Sequence, residues 1–94
     1  MIQISRLVTG EEIVADVTKN EDGTHTFKNP VRVMITHEGV GMGYFCPFAK
    51  SKQITIKEEH LVWTAEVDDE MRNAYNSQFG SGIVLASAQP PIEL

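Results

Sequence analysis

Gln53-Ile54-Thr55-Ile56-Lys57-Glu58-Glu59-His60-Leu61-Val62-Trp63-Thr64-Ala65-Glu66-Val67 sets two alternating runs on either side of three polar residues. Ile54 and Ile56 share one face of the first run. Leu61, Trp63, Ala65 and Val67 share one face of the second, against Val62, Thr64 and Glu66. Successive side chains of a strand point to opposite faces, so alternation of this kind marks half-buried strands. The stretch therefore predicts two strands joined by a very short connection at Glu58-Glu59-His60.

The chain upstream reads the same way. Ile2 and Ile4, then Leu7-Val8, predict a strand that ends at Thr9-Gly10. From Glu12 to Lys19, Ile13, Ala15 and Val17 share one face, and only Val14 blurs the alternation. Asn20-Glu21-Asp22-Gly23 is a turn signal, since Asp-Gly suits the positive φ of tight hairpins. The returning arm runs through Phe27 and resumes as Val31-Arg32-Val33-Met34-Ile35. Pro30 cannot donate to a ladder, which predicts a bulge or an edge near Asn29-Pro30. Gly39-Val40-Gly41-Met42-Gly43-Tyr44 places three glycines on one face of an extended chain, as in a bent strand, and its spacing is not that of a dinucleotide loop.

From Asp68 the period becomes helical: Met71, Ala74, Tyr75, Gln78 and Phe79 form one stripe, Asp68 or Asp69 can cap the start, and Gly80 can stop the helix. Ile83-Val84-Leu85-Ala86 is apolar enough for an edge strand, and Pro90-Pro91 ends regular structure. The expectation is one mainly β domain over residues 1–94: strands to about residue 67, a helix over about 68–79, and a tail from 80 to 94.

Composition sets the bounds. The chain has 94 residues, eight basic against thirteen acidic side chains, a formal charge of -5, and 41% apolar positions. It is too apolar for a disordered acidic chain, and no apolar run approaches the roughly 18 residues of a membrane span. Met1 opens straight into Ile2-Gln3-Ile4 without a leader pattern, and Cys46 is the single cysteine, so a cytoplasmic protein is expected. The three histidines are far apart, which argues against a metal site, and no cofactor is expected. Asp68-Asp69-Glu70 suits a helix dipole, and Gly80-Ser81-Gly82 follows a helix where a nucleophile elbow needs a strand. No catalytic arrangement is supported, and the chain reads as a non-enzyme. Cys46 would count toward catalysis only beside a histidine in one cleft.

The order of strands resembles that of the Sm/LSm family, whose fold is a strongly bent five-stranded antiparallel barrel of the small SH3-like kind. Gly10, Ile13, Ala15, Val17 and the Asp22-Gly23 hairpin fall at the places of the first Sm motif, and Ile56-Lys57-Glu58-Glu59-His60-Leu61-Val62-Trp63 sits at the spacing of the second. The resemblance spans residues 1–67 and extends to the short Sm-like proteins of tailed phages of marine cyanobacteria. Two positions depart from the pattern. The base-contacting Asn of the family falls on His25 in an ungapped comparison and on Thr24 if the hairpin is shortened by one residue, and its Arg-Gly pair falls on Lys57-Glu58.

The resemblance implies a homo-oligomeric ring of about five to seven copies, closed by pairing of open strand edges, with Ile54, Ile56, Leu61 and Trp63 at the interface. It also implies single-stranded RNA or DNA as ligand, held at the pore by His25, Lys57 and His60, with Lys19 and Asn20 nearby. A ring would let an acidic chain build a local positive collar by repetition. The competing reading is a protein-interaction or phage structural module that docks through the Pro90-Pro91 tail or the Met71-Tyr75-Phe79 helix face, and the -5 charge favours it.

Overall fold

A computed structural model of the chain describes residues 1–79. The strand β1 (Ile2–Leu7) is followed by β2 (Glu12–Lys19), β3 (Thr24–Thr36), β4 (Gly39–Tyr44), β5 (Gln53–Lys57) and β6 (Leu61–Glu66); a three-residue 3₁₀ turn, Glu58–His60, joins the last two. The helix α1 (Asp69–Phe79) follows. All pairings are antiparallel, in the order β4-β3-β2-β1-β6, with β5 also on β3. The stop at Gly80, the strand at Ile83–Ala86 and the Pro90-Pro91 tail lie outside the described residues.

Among the described residues the expected five strands are six, because Gly39–Tyr44 is a strand in its own right. It pairs in constant register with the outer half of β3, from Thr36 opposite Gly39 to Val31 opposite Tyr44. The break lies at Asn29-Pro30, where two residues of β3 stand against Ala15 alone: Val14 pairs Val31, and Asp16 pairs Lys28. This is a β-bulge, and Asn29 takes the left-handed conformation (φ 51°) that a short polar side chain tolerates. Beyond the bulge, β3 changes its second partner from β5 to β4.

The bulge gives the sheet two apolar faces. Ile13, Ala15 and Val17 of β2 pack with Leu7 and Phe27 on one side, where Phe45, Ile54, Ile56 and Leu61 close over them. Val14 points to the other side and packs with Val31, Val67 and Tyr75 beneath α1. A strand buried on both faces loses clean alternation, which is why Val14 broke the pattern. Asp68 Oδ1 accepts the backbone N–H of Met71 at 2.8 Å and caps the helix, as expected. Met71, Tyr75 and Phe79 of its apolar stripe face the second core. The Tyr75 hydroxyl lies 3.0 Å from the carbonyl oxygens of both Lys28 and Asn29, so the helix is tied to the bulge itself. Among the described residues no helix is long and apolar enough to cross a membrane.

Candidate functional site

Two turns lie side by side at one end of the sheet. The β2–β3 hairpin closes on Gly23 (φ 86°), with the Asn20 N–H donating to the Thr24 carbonyl at 2.9 Å. The 3₁₀ turn leans on it through the Glu58 N–H, which donates to the Gly23 carbonyl at 3.0 Å. Asn20 braces the hairpin from within, its Nδ2 donating to the hydroxyls of Thr24 and Thr26 at 2.9 Å each. Asp22 Oδ1 accepts from the Thr24 hydroxyl at 2.6 Å and from the Thr24 N–H at 3.1 Å; both bonds favour the ionised carboxylate and hold its pKa down.

Glu58 is the electrostatic centre of this end. Its Oε1 accepts from His25 Nε2 at 3.1 Å and lies 3.7 Å from the Lys19 ammonium. The His25 N–H, helped by the Lys19 charge, holds the Glu58 carboxyl below the usual carboxylate range. His25 belongs to the wall of the sheet: it is 8% exposed, tilted against Phe27 at a ring separation of 6.5 Å. Its Nε2 is held by the Glu58 carboxylate, and its Nδ1 is buried with no hydrogen-bond partner among the described residues. Lys57 is opposite Thr24 in the β5–β3 ladder and exposed.

The sequence-predicted residues therefore separate. Lys19, Asn20, His25 and Lys57 gather at the paired turns, with His25 set inward as a support of Glu58 and its ring withdrawn from stacking. His60 lies apart. It lines an apolar cavity of about 440 Å3 with Leu7, Val8, Phe45, Ile54 and Ile56, and its backbone carbonyl accepts the Val8 N–H at 2.9 Å. Glu58 and Asn20 hold the end together. The short polar connection between two alternating runs was the available signal for Glu58; nothing in the sequence marked its bond to His25, 33 positions away.

The interface candidates sit on two of the strands that keep one edge free among the described residues. Among the described residues, β5 pairs with β3 alone and β6 with β1 alone. Ile54, Ile56 and Leu61 are half-buried against the first core, whereas Trp63 is 40% exposed and its neighbour Val62 57%. Cys46 is half-buried in the loop after β4, and among the described residues no three His, Cys, Asp or Glu side chains are grouped to hold a metal ion. Comparison with protein-family models finds no match for the chain, and comparison with curated proteins finds none either.

Proposed function

We propose that the protein is a non-enzymatic, Sm-like small barrel that works as a homo-oligomeric ring and binds single-stranded nucleic acid at the end where its turns meet. One observation carries the reading: the two free strand edges, β5 and β6, flank the 3₁₀ turn that contacts the hairpin. Pairing β5 of one copy with β6 of the next would satisfy both edges and cover Val62 and Trp63. Rotation about the ring axis would bring every hairpin end to the same side. There Lys19 and Lys57 contact phosphate, the Asn20 carbonyl oxygen is an acceptor for a base, and His25 keeps Glu58 turned away from the strand.

A second reading has an observation of its own. Glu21, Asp22 and Glu58 stand among Lys19 and Lys57, so acids outnumber ammonium groups at the turns, and a protein ligand tolerates this better than a polyanion. Two measurements separate the cases. Light scattering should give several multiples of the 10.5 kDa chain, and a bare monomer at high concentration would remove the ring. Labelled single-stranded RNA and DNA should bind at low salt, weaken as salt rises, and weaken further with Lys19→Ala or Lys57→Ala. A ring that binds neither at low salt is a protein-docking ring.

A further inference from the structure

The third free edge of the sheet is β4, at the far side from the paired turns, and neither reading above uses it. The Phe45 N–H donates inward to the Pro30 carbonyl at 3.1 Å, so the alternation of an antiparallel ladder turns the amides of Gly43 and Gly41 inward too. The backbone groups of Val40, Met42 and Tyr44 face outward, onto no neighbouring strand among the described residues.

Three features surround this edge. Ile35 and Val40 are cross-strand partners on the face that continues from Val33 and Met42, yet they are 86% and 62% exposed: the apolar face of the hairpin runs on past the core. A groove of about 340 Å3 lies between β4 and the first half of α1, lined by Val40, Met42, Met71 and Ala74, with Asp68 and Glu70 along it. On the opposite face, Gly41 has no internal reason to be glycine. Its φ is ordinary, and a Cβ there would meet nothing nearer than the Met34 carbonyl oxygen at 3.9 Å. A strand glycine leaves that face of β4 open beside the free edge.

We infer that the free edge of β4 and its groove dock an extended segment of a basic partner protein, which joins the sheet as an added strand. Main-chain bonds to Val40, Met42 and Tyr44 supply the pairing, and alternate apolar side chains of the segment enter the groove toward Met71 and Ala74. Charge selects the occupant. Asp68 and Glu70 stand at the groove and Glu38 at the adjoining hairpin turn; Glu38 and Glu70 have no ion-pair partner among the described residues. A second copy of this chain would bring the same acids against them, whereas interleaved Lys or Arg residues pair with them. The inference is independent of ring assembly and of nucleic acid.

The test uses the full chain and a fluorescent alternating peptide, Lys-Val-Lys-Val-Lys-Val-Lys with blocked ends, against its Glu-Val counterpart. The Lys peptide should raise anisotropy on binding and slow amide exchange at Met42 and Tyr44; the Glu peptide should do neither. Val40→Pro removes an outward N–H while sparing the β3–β4 ladder, and Glu70→Lys reverses an exposed charge. Each should weaken Lys-peptide binding by roughly tenfold or more. Glu70→Lys keeps the test sound if Val40→Pro perturbs the hairpin. No binding by the parent protein, or equal binding by Glu70→Lys, overturns the inference. So does finding Met42 and Tyr44 already protected in the protein alone, since the edge would then be covered by its own chain or by a second copy.

Discussion

One carboxylate, that of Glu58, ties three pieces of chain: the end of β2 through Lys19, the start of β3 through His25, and the 3₁₀ turn on which it sits. Because its pKa is depressed in the folded protein, Glu58 contributes stability above the unfolded-state value of about 4.5, and this is lost as pH falls through the lower folded value. Glu58→Gln should therefore lower the denaturant midpoint at pH 7, and the gap to the parent protein should close below about pH 4. A gap that persists unchanged at pH 3 would assign the loss to something other than the charge. Tyr75 gives the opposite limb. Burial pushes its phenol up to about 12, so the unfolded chain surrenders the proton first. The benefit of the neutral hydroxyl is intact below pH 10 and is lost as pH rises through about 12. Absorbance titration should show one phenol ionising near pH 12 together with unfolding, and Tyr75→Phe should lack that step.

Between elements, the decisive contact is the one from α1 to the bulge of β3. Asn29 must hold φ 51°, a conformation that costs a β-branched residue about 1–2 kcal/mol and glycine nothing. Asn29→Val should lower stability by about that amount in urea, while Asn29→Gly should stay within about 0.5 kcal/mol of the parent. Equal losses in the two variants would mean that the Asn side chain, not the backbone, is what matters. Pro30 announced this bulge from the sequence, and Asp22-Gly23, Asp68 and the Met71-Tyr75-Phe79 stripe announced the hairpin, the cap and the helix face, since each works through its immediate neighbours along the chain. Val14 was misread because a residue facing a second core looks like noise against the first. The segment Gly39–Tyr44 reads as an extended, bent-strand stretch rather than as a separate sixth strand, because glycine weakens the strand signal and its pairing partner, the outer half of β3, lies across a turn. The candidate site was legible only in part. Lys19, Asn20 and Lys57 came together through ladder register, but the burial of His25 and the place of the exposed His60 at the rim of an apolar pocket depend on contacts across the sheet that no spacing encodes.

At the scale of the molecule, the described residues form two small cores on the two faces of β2, and three strands keep a free edge among them. A domain of this size buries a modest share of its surface, so it gains more than a large one from any partner that covers those edges. Val62 and Trp63 on β6 are the apolar surface that ring closure would cover, and that burial adds to the stability of each subunit only in the assembly. Stability should accordingly depend on concentration. Each tenfold rise in protein across the assembly range should add on the order of 1 kcal/mol per subunit, a rise of roughly 4–8 °C in Tm for a chain of this length. Val62→Lys supplies the control. Its side chain replaces one that is already 57% exposed, so the fold of the single chain is kept, while a charge on the β6 edge opposes pairing. The variant should sediment as a monomer and melt at one temperature at every concentration, equal to the limit that the parent protein approaches on dilution. If the parent protein itself melts at a fixed temperature over a hundredfold range, edge pairing contributes nothing to its stability, and the exposed β6 face serves a ligand other than its own kind.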